Sequence, residues 1–551
     1  MSQNIARERV MHRLLERQAE KYGQRTYMYF EDKKFSYKDL NDFASRVARG
    51  LQDLGIAKGD KVAVVMENCP EYIFLMFALS KLGAVEVPIN VFHKGEIMNY
   101  MVDHSDCSIV VMQVQYIDRL ESILQKSNKI KAVVLMESSG EDQKSGVTNA
   151  TVAAVKERIA SFGKKALGWP ELMGNDGNYQ KADVIWSDPL LLLYTSGTTG
   201  LSKGVLLPQN LFYSMAERFC NWVLEGNLGE DDCIYVPSPL FHAHAWHAGI
   251  NLALLKGARI LLRRRFSASA HWDDIRRFNC TYSAAGGPRL PILLAAEPSP
   301  NDADNPLRVI LGGPASEKIC NAFEPRFGVK VLEFYGSTEL GAPAMNTVSN
   351  RKIGSCGRML PDFLFKIADD DGAEVGVNQP GEFLVRVKQP YAMMLEYYKM
   401  PEKTVEAWRD LWFHTGDRVR VDEDGYIHFV DRKKDSIRRR GENISSFEVE
   451  RVINSHPAVL ESAAYGVESE FTDDDEVMVS LVLKPGQTLS PEELIAHCEG
   501  EMAYFMVPRY VRFVKELPKN AVNRVEKFKL REEGVTSDTW DREKSGYKLK
   551  R

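Results

Sequence analysis

The stretch YTSGTTGLSKG at residues 194–204 lies between two apolar segments, PLLLL (189–193) and VLLP (205–208), that have the composition of buried strands. The stretch itself has the glycine, serine and threonine content of a turn. A strand that ends in a glycine- and hydroxyl-rich turn presents many backbone N–H groups and hydroxyls to one point. This arrangement forms a nest for phosphate oxygens, and glycine permits the close approach. Lys203 adds a mobile cation for a polyphosphate, at a spacing that differs from that of the Walker loop. The alternative, a solvated surface loop, leaves a lysine between two apolar strands unexplained.

The segments on either side of this stretch alternate between helical and strand patterns. Strand-like runs such as KVAVV (61–65), IVVM (109–112) and VVLM (133–136) are separated by segments with apolar residues at helical spacing. Strands separated by helices indicate parallel sheets with crossover connections, in which ligands gather at the carboxyl ends of the strands. The predicted fold class is therefore α/β.

Departures from this alternation predict the domain organisation. The polar segment 138–180 indicates a surface excursion, and shorter strands after Gly381 indicate a β-rich subdomain. A charged segment then leads into a final block with helix and strand patterns of its own. We predict a large N-terminal domain, 1–433, made of two parallel-sheet α/β subdomains and the β-rich subdomain, followed by a small mobile α+β C-terminal domain, 434–551.

The composition excludes several classes of function. Of the 551 residues 44% are hydrophobic and 27% are charged, and the net charge of −5 argues against a nucleic-acid-binding surface. The most apolar stretch, 72–89, contains Lys81 and Glu86, which predicts a core helix and strand rather than a membrane span. The eight cysteines have no CxxC spacing, and the charged N-terminal helix has no apolar signal core. We therefore expect a cytoplasmic protein without disulfides.

Four further motifs follow the opening stretch: YGSTE (335–339), TGD (415–417), DRKKDSIRRRGEN (431–443) and LPKNAVNRVEKFKLR (517–531). In order and spacing they resemble the motifs of the adenylate-forming superfamily, which includes acyl-CoA synthetases, nonribosomal adenylation domains and firefly luciferase. Segments 298–308 and 437–450 are most similar to those of bacterial acyl-CoA ligases of the crotonobetaine/carnitine–CoA ligase type. The resemblance covers nearly the whole chain and implies ATP, Mg²⁺ and coenzyme A as cofactor and co-substrates.

The resemblance gives each motif a role in joining a carboxylate to ATP. It places Tyr335 against the adenine and Asp417 on the ribose hydroxyls, and it makes Glu339 the metal ligand. The chemistry agrees, because attack of a carboxylate on a phosphate requires cations and N–H donors, and a carboxylate is a hard ligand for Mg²⁺. The expected catalytic residues are Lys203, Thr338, Glu339 and Arg524. The expected ATP- and AMP-binding residues are Thr195, Ser196, Gly197, Thr198, Thr199, Gly200, Lys203, Gly312, Gly313, Pro314, Tyr335, Gly336, Ser337, Thr338, Asp417 and Arg432.

The segment PLFHAHA (239–245) occupies the position of the family's gate beside the acyl pocket, a role that the resemblance assigns to His242. Gly312 and Gly341 complete the expected acyl pocket. Its small and apolar lining favours an acid with a neutral or bulky tail over a dicarboxylate or a zwitterion such as carnitine. The alternative, a metal site formed by the clustered histidines, lacks an accompanying carboxylate or cysteine. The run RRR at 263–265 is interpreted as a solvated strand end, with a contact to the 3′-phosphate of CoA as the alternative.

The resemblance also implies a second half-reaction, in which the C-terminal domain rotates about a hinge residue and a thiol attacks the acyl-adenylate. The hinge position is Lys434, and the expected CoA-binding residues are Gly441, Phe505 and Arg509. The second glycine that the family usually has beside Gly441 is replaced here by Arg440.

The segment PKNAVNR (518–524) departs from the family's PKT-x-x-GK pattern, because Arg524 stands where the family has a lysine that bridges the carboxylate and the α-phosphate. Arginine keeps the charge but is planar and larger. We expect Arg524 to serve in this role, with Lys519 and Lys527 as substitutes. The alternative is a low-activity homologue that only binds the acyl group or the nucleotide.

The sequence therefore predicts an AMP-forming acid–thiol ligase, which converts a carboxylate, ATP and CoA into acyl-CoA, AMP and diphosphate. An adenylating enzyme with a different acceptor, such as a carrier protein or oxygen, is the alternative. The expected partners are small molecules only, with no nucleic acid and no integral membrane association, and a homodimer is an open alternative to the monomer.

Overall fold

The computed structural model describes residues 3–137, 151–195, 202–313, 315, 317–432, 436–469, 474–519 and 525–549. In chain order the described helices are α1 (Gln3–Glu8), α2 (Met11–Tyr22), α3 (Tyr37–Asp53), α4 (Pro70–Leu82), α5 (Gly95–His104), α6 (Ile117–Lys126), α7 (Val152–Ser161), α8 (Trp169–Met173), α9 (Gln209–Arg218), α10 (Ala243–Ala245), α11 (Asn251–Lys256), α12 (His271–Arg277), α13 (Leu290–Leu294), α14 (Glu317–Phe327), α15 (Pro401–Ala407), α16 (Ser446–Asn454), α17 (Pro491–Glu501), α18 (Lys527–Glu533) and α19 (Arg542–Ser545).

The described strands are β1 (Thr26–Phe30), β2 (Lys33–Ser36), β3 (Lys61–Val65), β4 (Val85–Pro88), β5 (Ile109–Gln113), β6 (Ala132–Met136), β7 (Lys165–Gly168), β8 (Pro189–Thr195), β9 (Lys203–Pro208), β10 (Cys233–Val236), β11 (Arg259–Leu262), β12 (Tyr282–Ser283), β13 (Val309–Leu311), β14 (Lys330–Leu332), β15 (Phe334–Ser337), β16 (Gly341–Met345), β17 (Arg358–Met359), β18 (Phe363–Ala368), β19 (Gly381–Val387), β20 (Glu396–Tyr397), β21 (Phe413–Val421), β22 (Ile427–Arg432), β23 (Ser436–Arg439), β24 (Glu442–Ser445), β25 (Val459–Glu468), β26 (Asp475–Leu483), β27 (Tyr510–Phe513) and β28 (Trp540–Asp541).

The chain divides into two compact units, of which the first comprises Met1–Val91, Val102–Leu193 and Gly204–Asp431. Two large sheets organise this unit. The first has the strand order β20-β9-β8-β4-β3-β5-β6-β7, with parallel pairing from β8 to β7 and an antiparallel edge at β20. The second has the order β14-β13-β12-β10-β11-β1-β2, and it is parallel from β14 to β1.

Both faces of these parallel sheets are buried, which explains why their strands are continuous apolar runs in the sequence. Strands β3, β5 and β6 are buried at nearly every position, as is typical of parallel strands covered by helices on both sides. Helix α4, which includes the first part of the most apolar stretch, is buried at every residue but Glu71. The structure therefore places this stretch inside a core. Among the described residues no helix combines the length and apolar character that crossing a bilayer requires.

Smaller antiparallel sheets follow the two parallel ones in the chain. Strands β15, β16 and β17 form one of them, and β18, β19, β21 and β22 form another in the region where a β-rich subdomain was expected. The mixed α/β architecture with a β-rich region and a C-terminal domain confirms the predicted fold class.

The second unit comprises Phe92–Met101, Tyr194–Lys203 and Arg432–Arg551. Its core lies on the sheet β25-β26-β27-β28, beside the separate hairpin β23–β24. Two short segments of the earlier chain thus belong to the same compact unit as the C-terminal residues. The domain bounds at 433 and 434, and the mobility of the C-terminal domain, stay predictions.

Candidate active site

The YGSTE motif forms the end of strand β15 and the turn into β16. The turn is tight, since a side chain at Gly336 would lie 2.8 Å from the carbonyl oxygen of Gly341, and Gly341 itself has a positive φ of +68°. Gly341 also packs against Met215, whose sulfur lies 2.6 Å from where a Cβ would be. This geometry places the half-buried side chains of Ser337, Thr338 and Glu339 together in one turn.

Tyr335 and Asp417 come from different strands and are joined by a hydrogen bond. The Tyr335 hydroxyl donates to Asp417 Oδ2 at 2.6 Å, and both side chains are buried. The backbone N–H of Asp417 also donates to Thr415 Oγ1 at 3.1 Å, so the backbone at Asp417 is held by its own turn. The residues predicted for the adenine and the ribose are therefore neighbours in the folded protein.

Glu339 is positioned by a residue that the sequence motifs did not indicate. The hydroxyl of Tyr397 donates to Glu339 Oε1 at 2.8 Å, and the backbone N–H of Met394 donates to the Glu339 carbonyl at 2.7 Å. Burial, followed by the adjacent Glu339 charge, raises the pKa of Tyr397 well above its usual value, so its hydroxyl remains a donor. A half-buried carboxylate with one oxygen hydrogen-bonded fits a Mg²⁺ ion, which is bound by few carboxylates and by substrate phosphates.

Gly312, predicted for both the nucleotide site and the acyl pocket, lies where two backbones come into close contact. Gly312 has a φ of +140°, and a Cβ there would lie 2.5 Å from the Cα of Gly286. The His244 ring lies beside both glycines, with Cε1 3.4 Å and 3.6 Å from their Cβ positions. The structure thus brings Gly312 of the acyl pocket together with His244, which was not among the predicted site residues. Gly313 faces Glu333 instead, at 2.6 Å from its Cγ.

His244 is a neutral imidazole with a defined tautomer. Burial, followed by the charge of Arg289, lowers its pKa to about 4. Its Nε2 lies 3.2 Å from the carbonyl oxygen of Leu311, which accepts only, so Nε2 carries the proton. Nδ1 faces Ser238 Oγ at 3.5 Å, and because that hydroxyl donates to Ala284 O at 2.7 Å, Nδ1 keeps its lone pair.

The other two histidines of this segment have different surroundings. His242 is half-buried and lies against the Phe241 ring. His247 is buried beside Phe212, and burial lowers its pKa to about 3. The described residues contain no group of three His, Cys, Asp or Glu side chains that could hold a metal ion.

The described ends of the predicted phosphate loop are Thr195 and Ser202 with Lys203. Thr195 Oγ1 donates to the carbonyl of Lys203 at 3.5 Å, and the Lys203 side chain is half-buried. Strands β8 and β9, which the loop connects, are hydrogen-bonded neighbours in the first sheet. Residues 196–200 and Pro314 of the predicted nucleotide site lie outside the described residues.

Gly441 and Arg440 form the turn of the β23–β24 hairpin. Arg439 pairs with Glu442, and both turn residues have positive φ, +54° for Arg440 and +82° for Gly441. This is a two-residue hairpin turn of the type that favours Asn-Gly or Gly-Gly. The Gly441 N–H donates to Asp474 Oδ2 at 2.9 Å, so the loop expected beside CoA is fixed by a carboxylate. Arg440 occupies a conformation for which glycine is better suited, in agreement with the family's usual residue.

Phe505 and Arg509 lie in the interior of the second unit. The Phe505 ring packs beside the rings of Phe92 and His93. Arg509 is 3% exposed, and its guanidinium donates twice to the Asp541 carboxylate at 3.3 Å. Their contacts with CoA stay predictions.

Comparison with known proteins identifies the family. A family model described as AMP-binding enzyme matches residues 15–398, and the model of the AMP-binding enzyme C-terminal domain matches residues 448–524. Crotonobetaine/carnitine–CoA ligase from Salmonella choleraesuis is 31% identical over 522 residues, which are 93% of this chain and 96% of that protein. The chain belongs to the AMP-binding enzyme family. The predicted family is thereby confirmed.

Solved structures share the fold of this AMP-binding enzyme. The o-succinylbenzoate–CoA synthetase of Bacillus subtilis matches with a TM-score of 0.79 at 24% identity, covering 95% of this chain and 98% of that chain. The amide bond synthetase of Marinactinospora thermotolerans matches with a TM-score of 0.77 at 23% identity, covering 94% and 99%. At these identities the likeness concerns the fold alone.

Several predicted residues of this AMP-binding enzyme are not described by the structure. Lys434 and Arg524 lie outside the described residues, and for Arg432 only the backbone, at the end of β22, is described. The two lysines considered as substitutes for Arg524 are engaged elsewhere. Lys527 pairs with Glu450 at 2.7 Å, and Lys519 pairs with Glu461 at 2.7 Å.

Proposed function

We propose that this AMP-binding enzyme is an ATP-dependent carboxylate–CoA ligase. The observation that carries the proposal is the match of the chain, over 93% of its length, to a named CoA ligase. The hydrogen bonds from Tyr335 to Asp417 and from Tyr397 to Glu339 support it. The overall reaction converts a carboxylate, ATP and CoA into acyl-CoA, AMP and diphosphate through an acyl-adenylate.

In the first half-reaction a carboxylate oxygen attacks the α-phosphorus, and the bond to the β-phosphate oxygen breaks. Lys203 faces the departing phosphates, and Thr338 donates its hydroxyl to the α-phosphate. Both groups stabilise charge that accumulates in the transition state. Glu339, held by Tyr397, would hold Mg²⁺, which when bound neutralises phosphate charge. Arg524 supplies the cation on the attacking side, in the position where the family has lysine.

In the second half-reaction the CoA thiolate attacks the acyl carbon, and the C–O bond to the phosphate breaks so that AMP leaves. Rotation of the C-terminal domain about Lys434 separates the two half-reactions. Gly441, on its fixed hairpin turn, lines the path of the pantetheine arm. Phe505 and Arg509 contribute to the CoA site, and RRR at 263–265 is a second candidate for its 3′-phosphate.

Amide bond synthesis is the second candidate reaction, since a synthetase of that kind has the same fold. Both reactions begin with the same acyl-adenylate and differ only in the acceptor. Mass spectrometry of products formed from one acid with CoA, with an amine, with a pantetheine carrier and with no acceptor separates the two candidates. Thioester formation with CoA is the expected result, and an amide formed at a higher rate would overturn the CoA assignment.

Carboxylate-dependent exchange of labelled pyrophosphate into ATP tests the adenylation step. Glu339→Gln should lower this exchange by at least tenfold, because the amide has no charge to offer to a metal ion. Glu423→Gln is the matched control, since Glu423 is an exposed carboxylate of the same unit. An absence of exchange with every acid in the wild-type protein would refute the ligase proposal and favour a binding protein.

The acid is proposed to carry a neutral or bulky tail. His244 has its pKa lowered to about 4 and is uncharged at neutral pH, and Ala284, Ala285 and Gly286 are small and buried. The nearest described cation beside Gly286 is Arg289, whose Nη1 lies 3.8 Å from the Gly286 Cβ position and donates to Ala285 O at 2.6 Å. A panel of aliphatic, alicyclic and dicarboxylic acids, with crotonobetaine and carnitine included, tests this assignment. A dicarboxylate as best substrate would refute it and implicate Arg289.

A cytoplasmic location is proposed because all eight cysteines are free and buried, as expected in a reducing compartment. Light scattering of the purified protein decides between a monomer and a homodimer.

A further inference from the structure

Ser202, next to Lys203 at the end of the predicted phosphate loop, makes hydrogen bonds to a carboxylate of the C-terminal segment. Its backbone N–H donates to Glu448 Oε1 at 3.0 Å, and its hydroxyl donates to the same oxygen. Ser202 is 1% exposed and Glu448 is 3% exposed. All these residues belong to the second compact unit.

The contact is fixed from both sides. Glu448 lies in the first turn of α16, where Ser445 caps the helix by accepting the Glu448 N–H at 3.3 Å. On the other side, the hydroxyl of Tyr100 donates to the carbonyl of Ser202 at 3.1 Å. The N–H, the hydroxyl and the carbonyl of Ser202 are therefore all engaged in this conformation.

The donors that Glu448 uses are of the kind that a phosphate would use. A glycine- and hydroxyl-rich loop binds phosphate oxygens through backbone N–H groups and hydroxyls, and Ser202 offers one of each. A carboxylate oxygen accepts the same hydrogen bonds as a phosphate oxygen and has the same sign of charge. Burial raises the pKa of Glu448 to about 7, so this carboxylate ionises as the pH rises through neutrality. Because like charges repel strongly where water is excluded, pyrophosphate and ionised Glu448 compete for the Ser202 donors.

We propose that Glu448 takes over the Ser202 donors after pyrophosphate has left, and that this contact disfavours pyrophosphate rebinding and so commits the enzyme to the CoA half-reaction. The proposal rests on the ligase function proposed above. Glu448 is a positioning residue in this scheme, because it acts through Ser202 and the loop rather than on the reacting atoms.

A purely structural role would give a different result. A buried hydrogen bond that only stabilises the fold would, when removed, lower the unfolding temperature and change both half-reactions by the same factor. Competition with pyrophosphate predicts opposite effects on the two half-reactions, since removing the competitor helps pyrophosphate bind and hinders the step that follows its release.

The test compares Glu448→Ala and Glu448→Gln with the wild type. Glu448→Ala should bind pyrophosphate about tenfold more tightly, the effect of one hydrogen bond to a charged group. It should also slow thioester formation from preformed acyl-adenylate, while pyrophosphate exchange is retained. Glu448→Gln keeps an acceptor oxygen without the charge and should show a smaller change of the same sign. Glu492→Gln, an exposed carboxylate of the same unit, is the matched control.

A double-mutant cycle with Ser202→Ala locates the effect. Because Ser202→Ala removes one of the two contested donors, the Glu448→Ala effect on pyrophosphate affinity should be clearly smaller in that background. Equal effects in both backgrounds, or a Glu448→Ala affinity within twofold of the wild type, would overturn the proposal. So would an equal loss in both half-reactions.

Pyrophosphate affinity is measured by calorimetry on the full chain, which requires no turnover. Failure of the ligase function would appear as absent carboxylate-dependent exchange in the wild type. Failure of the Glu448 proposal would appear as unchanged pyrophosphate binding in a wild type that does show exchange. Thermal unfolding of each variant separates loss of the fold from loss of the contact.

Discussion

Replacing Tyr397 by phenylalanine removes one hydroxyl and leaves the rest of the side chain in place. The hydroxyl donates to Glu339 Oε1 at 2.8 Å, and the Tyr397 side chain is 4% exposed, so the ring should stay packed. Since Glu339 is the proposed Mg²⁺ ligand, the change perturbs the metal carboxylate without touching its charge.

The expected magnitude follows from the type of hydrogen bond. Hydrogen bonds to charged groups contribute about 1.5–3 kcal/mol, and Glu339 is only half-buried, so water can replace part of the lost contact. The lower end of the range applies, which corresponds to roughly a tenfold loss in kcat/KM for adenylation. A mobile Glu339 should also raise the Mg²⁺ concentration needed for half-maximal rate.

Pyrophosphate exchange measured over a range of MgCl₂ concentrations is the assay. Tyr27→Phe is the control, because the Tyr27 hydroxyl is also buried and donates at 2.8 Å, but to the backbone carbonyl of Ile250. Tyr27→Phe should lower stability and leave the Mg²⁺ dependence unchanged. If Tyr397→Phe remains within twofold of the wild type in both rate and Mg²⁺ dependence, Tyr397 does not position Glu339 for catalysis.

Three further predictions concern backbone geometry and pH. Gly312→Ala places a Cβ 2.5 Å from Gly286 Cα and should lower unfolding stability by about 2 kcal/mol in chemical denaturation; an unchanged midpoint would contradict the close packing. Arg440 has a φ of +54°, a conformation that Asn adopts more readily, so Arg440→Asn should raise unfolding stability by about 1 kcal/mol. A decrease in stability would show that the Arg440 side chain makes a contact that stabilises the fold by more than this strain costs. Burial lowers the pKa of His247 to about 3 in the native state. As the pH falls below 6.5, the unfolded state therefore takes up a proton that the native state does not, and the free energy of unfolding decreases. His247→Gln should reduce that loss by up to about 1.4 kcal/mol per pH unit between pH 6 and pH 4, as measured by denaturation at each pH.

The sequence was sufficient for the parallel sheets because the buried strands are continuous apolar runs. It was also sufficient for one conformational detail. The resemblance indicated a glycine where Arg440 stands, and in the structure this residue has a positive φ within a two-residue hairpin turn. A local sequence motif can indicate a positive φ because the φ angles of a short turn depend on the neighbouring residues.

The residues that were missed share a different property, since each acts through a partner distant in the sequence. Tyr397 lies 58 residues from Glu339, and Glu448 lies 246 residues from Ser202. His244, in α10, meets Gly312, which follows β13 and lies 68 residues further along the chain. Neither periodicity nor motif spacing encodes these contacts, which arise from tertiary packing. A tyrosine near a metal carboxylate has no signature in a single sequence.

Strand β20 connects the residue that holds Glu339 to the edge of the first sheet. Tyr397, which holds Glu339, pairs with Val205 in the antiparallel β20–β9 ladder. The ladder continues on either side, with Leu395 N–H donating to Leu206 O at 2.8 Å and Tyr398 N–H to Gly204 O at 2.7 Å.

The proposed metal carboxylate is therefore tied, through Tyr397, to a pair of strands rather than to its own turn alone. Displacements of about 1 Å at a reacting centre can change rates a hundredfold, so a strand ladder that holds Tyr397 is an effective way to limit movement of Glu339. It follows that the position of Glu339 depends on the edge of the first sheet as well as on the turn of the YGSTE motif.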